Sequence, residues 1–341
     1  MNPLRVGVIG TGYISQGAHL PAIQEEVERG VATFQAFCDV NTQTVEEAAA
    51  KFGVKNTYTD HHEMLEREEL DALYLIIPPT FHTDVELMAA ERGIPLLIEK
   101  PQTLDMQQAL QFEEAIRKSG ALCTVGFMMR YYPAAEFIRN RLAELTVRHA
   151  NLQFFYSGAP IRHWTNRMEL CGGTFVENSV HAIDLLRYQL DDDYDSVSAF
   201  YFERPHDPDP KAINLPYVYN ANYKMKSGAV VNVTTSRVLT NTDATRRETL
   251  IICDDVLFEY SHDKVIENGE VAWEATERIN PFYVQTKQFL EAVRTGDATK
   301  VRNNYSNSLN SLAAVLGANE SASKGGEVVC CDMQNKRDLR P

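Results

Sequence analysis

The tightest constraint on this chain lies at residues 4–22, LRVGVIGTGYISQGAHLPA. Leu4, Val6 and Val8 alternate and Ile9 extends the run, the pattern of a strand bound for the middle of a sheet. Gly10-Thr11-Gly12 then breaks the strand at once, and a helix-like run opens with Tyr13 and Ile14. A turn this tight needs glycine at position 10, because a Cβ there would clash. Glycine at position 12 lets the backbone approach a pyrophosphate, whose charge then rests on the exposed N–H groups of the following helix. Ser15 stands where the third glycine of the usual fingerprint would be. A strand-to-helix turn can carry Gly-x-Gly with no ligand; the strand before it and an acidic residue downstream favour a dinucleotide.

That acidic residue is Asp39, at the end of a second strand read over residues 32–40. At the end of the strand that follows such a turn, a carboxylate can accept both ribose hydroxyls of an adenosine. The alternative is a strand-end or capping aspartate. Val40, Asn41, Thr42 and Gln43 supply no cation to meet a 2′-phosphate, which favours NAD over NADP. Helices over 44–52, 62–69, 80–93 and 105–119 alternate with strands over 54–58, 71–77, 95–98 and 121–126. Such alternation predicts an α/β domain with a parallel, doubly wound sheet, spanning residues 1–125. Right-handed crossovers place Gly10, Asp39, Pro78 and Glu99 along one edge, the ligand crevice. Lys100 follows Glu99 there, and Pro101 ends the pairing and fixes the loop. A lysine at that point can reach into the crevice, or simply be solvated.

The bulk composition excludes several partner classes. At 341 residues the length suits two domains or one large one, and 44% hydrophobic content is that of an ordinary globular protein. A net charge of -14 argues against nucleic acid, whose phosphates such a surface repels. The longest apolar run, around residues 73–77, falls far short of the ~20 residues of a membrane span. No secretory signal is read at the start. The six cysteines show no metal-like spacing and read as reduced thiols in a cytoplasm, with no metal expected.

From about residue 126 the chain changes character, and a second domain is expected over 126–341. Alternating segments over 151–156, 196–202, 217–225, 229–236, 249–253 and 256–260 predict a large, mostly antiparallel open sheet in an α+β domain. Lys226-Ser227-Gly228 reads as a hairpin turn. Residues 203–215, with Pro205, Pro208 and Pro210, read as a loop, and 283–295 and 306–323 as closing helices. The alternating tyrosine and aliphatic residues of 217–225 suggest more apolar area than a monomer would leave open, hence an oligomer surface. Within this half, Gly172-Gly173 precedes a helix on which Glu177, His181 and Asp184 are spaced four and three apart and share a face. An imidazole flanked by carboxylates gains basicity, as a general base near neutral pH must. An ordinary surface ion pair is the plain alternative.

Taken in this order, the pieces resemble the Gfo/Idh/MocA family, the glucose–fructose oxidoreductase and inositol dehydrogenase group. The residues carrying the resemblance are Gly10-Thr11-Gly12, His19-Leu20-Pro21-Ala22, Asp39, Pro78-Pro79-Thr80-Phe81-His82, Glu99-Lys100-Pro101, and Gly172-Gly173 through His181 and Asp184. The resemblance implies a Rossmann domain followed by a domain whose open sheet makes homodimers or homotetramers. It implies NAD(P)-dependent oxidation of a secondary alcohol on a sugar, inositol or related polyol. In its terms Gly10 through Ile14, Asp39, Pro78, His82, Glu99 and Lys100 would hold the cofactor. Lys100 would hydrogen-bond the reacting hydroxyl, and His181 would take its proton. Glu177 stands where aspartate is common, and Ser179 where glycine is frequent. Arg130, Asp184, Trp164 and Tyr283 would line the substrate. The competing reading is a non-catalytic NAD(P)-binding sensor of the same fold, which would need neither Lys100 nor His181. The sugar, the reacting hydroxyl and the direction of reaction are not legible.

Overall fold

The structure, a computed structural model, describes residues 2–157, 163–209, 211–239 and 241–333; Pro210 lies outside them. Two compact units partition the chain: residues 1–131 with 280–307, and residues 132–279 with 308–341.

In the first unit the strands are β1 (Leu4–Ile9), β2 (Ala32–Cys38), β3 (Asn56–Tyr58), β4 (Ala72–Leu75), β5 (Leu96–Ile98) and β6 (Cys123–Val125). They form one sheet in the order β3-β2-β1-β4-β5-β6, with every neighbouring pair parallel. Helices α1 (Leu20–Glu28), α2 (Thr42–Phe52), α3 (His61–Arg67), α4 (Val85–Glu91) and α5 (Met106–Ser119) lie between them. Helices cover both faces of such a sheet, so β4, β5 and β6 are buried at every position and read as continuous apolar runs. Local chemistry sets the helix limits. Asn41 accepts from the Thr44 amide to start α2, Asp105 accepts from Gln107 to start α5, and left-handed Gly53 and Gly120 end them. Strand order reverses at β1, the switch point beside which such sheets bind ligands.

Residues 280–307, expected with the second domain, pack in the first unit. Phe289 and Leu290 of the helix Pro281–Thr295 share one core with Val6, Val8, Phe37 and Tyr74. The Gln285 amide donates to the Val125 carbonyl at 3.2 Å. Periodicity identifies such a helix but not the sheet it covers.

The second unit holds a nine-stranded sheet of β7 (Val147–Ser157), β8 (Tyr194–Phe202), β9 (Val218–Met225), β10 (Val230–Leu239), β11 (Arg246–Cys253), β12 (Val256–Tyr260), β13 (Lys264–Glu267), β14 (Glu270–Glu274) and β15 (Val329–Cys330). Its order is β14-β13-β12-β11-β7-β10-β9-β8-β15, antiparallel throughout except for the parallel β7–β10 pair. The expected turn over 226–228 joins β9 to β10. Helices α6 (Pro133–Leu142), α7 (Met168–Cys171) and α8 (Val180–Leu190) precede β8. The two helices α9 (Pro281–Thr295) and α10 (Tyr305–Ser323) follow β14.

The period of two in β9 holds: Tyr219, Ala221, Tyr223 and Met225 are buried, and Asn220, Asn222 and Lys224 point the other way. The apolar side of this alternation is the inner one. The tyrosine face is covered within the unit, where Tyr223 donates to the Ala314 carbonyl of α10 at 3.1 Å and Tyr219 stacks on Phe175. The opposite face is largely amide and hydroxyl, with Asn220 donating to Thr234 and Asn232 bonded to both Asn222 and His149. Phe200 and Phe202 are its exposed aromatic residues on β8.

Candidate active site

At the end of β1, Gly10 has φ +89°, and its amide donates to the Cys38 carbonyl at 2.8 Å. A Cβ there would lie 2.1 Å from the Ile76 carbonyl oxygen, so no other residue fits. Gly12 is different. A Cβ on it would meet nothing within 4 Å, so the chain's own packing does not demand glycine. The open side of Gly12 is the cradle that a pyrophosphate against the amides of Tyr13 and Ile14 requires. Ser15, in the third glycine's place, is buried and opens a π turn, Ser15–His19, that leads into α1. Asp39 closes the loop from the side. Its Oδ2 accepts from the Thr11 amide at 2.8 Å and the Thr11 hydroxyl at 3.3 Å, and its Oδ1 accepts from the Asn41 amide at 3.0 Å. The carboxylate thus stands against the glycine turn, with Val40 exposed beside it. These residues fit NAD.

The ends of β4 and β5 lie on the same edge. Pro78 precedes a single 3-10 turn, Pro79–Phe81, and the next residue, His82, turns inward. Its Nδ1 meets Glu86 Oε1 at 2.5 Å, both side chains fully buried, and its carbonyl accepts from Gln108. His82 therefore shapes this loop from within, where the sequence had offered it to the cofactor. Glu99 is likewise buried. Its Oε1 accepts from His19 Nε2 at 2.7 Å, and its Oε2 accepts from the Lys100 amide at 3.1 Å. Gly126 makes room for that carboxylate: a Cβ there would lie 2.6 Å from Glu99 Oε1. Glu99 thus acts as a buried bracket that fixes the backbone from which Lys100 extends. His19, whose ring packs edge-on against Phe282 at 5.0 Å, is the partner the sequence reading left without a role. Its position in His19-Leu20-Pro21-Ala22, just past the glycine turn, was the available signal.

In the second unit, α7 ends at left-handed Gly172, and Gly173 follows at φ +89°. A Cβ on Gly173 would come within 3.0 Å of the Tyr219 hydroxyl, which accepts from the Thr174 amide at 3.1 Å. The glycine pair therefore brings the start of the next helical segment against β9. Cys171 supports the same turn by accepting from the Gly173 amide; burial pushes its thiol up to about 12, which removes it as a nucleophile. A π turn, Phe175–Ser179, carries buried Glu177 and runs into α8, where His181 is half-buried. The Ser179 hydroxyl bonds Thr235 on β10 at 2.7 Å. The wide turn changes the angular spacing that ideal helical periodicity assumes. Asp184 is buried: it accepts from the Ser311 hydroxyl at 2.7 Å and lies 3.7 Å from Arg187. Arg187 in turn donates to Asp193 at 2.9 Å. Asp184 belongs to this interior network and anchors α8 to α10.

Residues 4–127 match the oxidoreductase family, NAD-binding Rossmann fold, and residues 146–256 match the GFO/IDH/MocA C-terminal domain. The chain belongs to the Gfo/Idh/MocA oxidoreductase family. It is 30% identical over 159 residues to the scyllo-inositol 2-dehydrogenase (NAD(+)) of Bacillus subtilis, a match covering 45% of each chain. It is 23% identical over 263 residues to the 4-carboxy-2-hydroxymuconate-6-semialdehyde dehydrogenase of a Sphingobium species, covering 73% of this chain and 79% of that one. The chain thus spans about half the length of the inositol enzyme it matches. In fold it is similar to the WlbA dehydrogenase of Bordetella pertussis, solved with NADH and UDP-GlcNAcA. That likeness has a TM-score of 0.81 at 18% identity and covers 96% of this chain and 98% of that one.

For this Gfo/Idh/MocA protein, three further expected substrate residues fall in different settings. Arg130 is buried, and its guanidinium donates to the Arg302 carbonyl at 2.7 Å and to Asn307 Oδ1 at 3.0 Å, which ties two stretches of the first unit together. Tyr283 lies half-buried in the first turn of α9, in the first unit. Trp164 lies half-buried in the 3-10 turn His163–Asn166 of the second.

Proposed function

We propose that this chain is an NAD-dependent dehydrogenase that oxidises a secondary alcohol of a sugar, inositol or related polyol. The observation that carries the reading is the Glu99 bracket: a buried carboxylate, held by His19 and accepting from the Lys100 amide, at the end of a strand beside an NAD-type glycine turn. Such rigid support is what a cation needs if it is to stabilise charge that develops only in the transition state. Gly10 through Ile14 hold the pyrophosphate and Asp39 the adenosine ribose. Bound NAD supplies the hydride acceptor. Lys100 donates a hydrogen bond to the reacting oxygen and stabilises it as alkoxide character develops. His181 takes the hydroxyl proton as general base, and the Glu177 carboxylate favours the imidazolium so formed. The inositol dehydrogenase relative and the nucleotide-sugar ligand of the fold neighbour support polyhydroxylated rings as the substrate class. The nine-stranded sheet of the second unit is the surface for a homodimer or homotetramer. The buried thiols Cys38, Cys123, Cys171 and Cys253 suit a reducing cytoplasm.

The test is a screen of inositols, sugars, sugar phosphates, nucleotide sugars and cyclic semialdehydes that follows NADH absorbance. The expected result is turnover of one polyol class, lost in Lys100→Met and in His181→Ala. Tight NAD binding with no reduction by any compound of these classes would instead favour the sensor.

A further inference from the structure

We propose that the first unit carries a divalent transition-metal site formed by His61, His62 and Asp84, with Asp60 beside them. The two histidines open α3, and Asp84 is the residue before α4. Aspartate at that position ordinarily caps its helix, as Asp60 and Asp105 do. Asp84 makes no capping bond. Its carboxylate is turned instead toward the two imidazoles: Oδ1 lies 2.8 Å from His61 Nε2, and Oδ2 lies 3.2 Å from His62 Nε2. Thr83 donates to the same Oδ1 at 2.9 Å. The rings lie tilted at 34° to each other with centroids 4.3 Å apart. One ligand atom each from Asp60, His61 and His62 also lie within 4.8 Å of one another.

Two imidazole nitrogens converging on one carboxylate is the donor set of a borderline ion. Nitrogen and oxygen ligands at 2.0–2.1 Å from tetrahedral zinc stand about 3.3 Å from each other, so the observed separations need open by only a few tenths of an ångström. The metal would replace the protons that otherwise bridge each Nε2 to Asp84, and the carboxylates of Asp60 and Asp84 would balance its charge. The side chains of His61, His62 and Asp84 are 23%, 48% and 39% exposed, so the ion has access and water can complete its shell. Imidazole with carboxylate selects Zn²⁺, Ni²⁺ or Cu²⁺ over Mg²⁺ and Ca²⁺. Bound there, the ion would pin the start of α3 to the segment between β4 and α4.

The experiment titrates chelator-stripped full-length protein with Zn²⁺ in a calorimeter, with circular dichroism to check that each variant is folded. The expected result is one ion per chain at micromolar affinity. Binding should weaken at least ~10-fold in the double variant His61→Gln/His62→Gln and in Asp84→Asn. Co²⁺ in place of Zn²⁺ should give visible d–d absorption that the double variant lacks. Absence of saturable binding overturns the proposal, as does stoichiometric binding that the double variant retains, which would place the ion on cysteines or other histidines.

Discussion

The two sheets of this protein position side chains in opposite ways. In the six-stranded sheet the strands β4, β5 and β6 are buried at every position, and the proposed functional groups stand just past strand ends: Gly10 after β1, Asp39 after β2, Lys100 after β5. In the nine-stranded sheet the strands alternate, and the candidate base rides on a helix laid over one face. A strand-end site is positioned by short stretches of contiguous sequence. A site on a packed helix depends on what lies beneath it, here Tyr219 and Thr235.

The largest test of this contrast is kinetic. His181→Ala is expected to lower kcat by ~10²–10⁴-fold, the usual range for a lost general base. Lys100→Met should lower kcat and kcat/KM together by ~10²–10³-fold, because its work is done in the transition state. Steady-state rates with the substrate found by screening decide both. If Lys100→Met raised KM and left kcat alone, the strand-end lysine would be a binding group and the division of labour would fail.

Next in size are two of the positive-φ glycines, Gly10 and Gly173. Gly10→Ala drives a Cβ against a backbone carbonyl that cannot yield, and should cost ~3 kcal/mol or more of stability. Gly173→Ala meets the Met168 sulfur at 2.9 Å and the Tyr219 hydroxyl at 3.0 Å, both ends of side chains, and should cost ~1–3 kcal/mol. Urea unfolding measures each; the reverse order would mean that the helix start in the second unit is the more rigid of the two.

A smaller effect concerns pH and the second sheet's rim. His262 stacks on Tyr132 with centroids 4.1 Å apart, and burial together with nearby Arg247 pulls its imidazole down to about 4. The unfolded chain protonates this residue at its ordinary value of 6.5, so the unfolded state is then the better proton binder. Stability from neutral His262 is therefore complete above pH 6.5 and is lost as the pH falls toward 4, by about 1–3 kcal/mol. His262→Gln should flatten that part of the stability–pH curve; an unchanged slope would show that carboxylates elsewhere set it.

The smallest expected change is in cofactor choice. Asp39→Ala should weaken NAD about 10-fold, one hydrogen-bonded carboxylate's worth, and leave NADP nearly unaffected. Equal loss for both in a fluorescence titration would make Asp39 purely a brace for the Thr11 amide.

Legibility in the sequence follows the same division. The parallel sheet, its glycine turn and the strand-end positions of Asp39 and Lys100 could be read because each is written in adjacent residues. Where partners are remote, reading stopped. His82 and Arg130 look like site residues by position, yet Gln108 holds the His82 carbonyl, and Arg302 and Asn307 draw Arg130 inward. Asp184 has the right helical spacing, but Ser311 lies 127 residues away and claims it. The β13–β14 hairpin was missed for another reason. Asn268-Gly269, both at positive φ, is a strong local turn signal, but the flanking strands are only four and five residues long.

The return of residues 280–307 to the first unit has a consequence for synthesis. A ribosome emits the six parallel strands within the first 125 residues, but the core they share with Phe289 and Leu290 stays incomplete until far later. During that interval the nascent sheet presents apolar surface that a holdase chaperone would bind, while the second unit's long strands are still being made. A fragment ending at residue 131 would carry the same uncovered surface permanently.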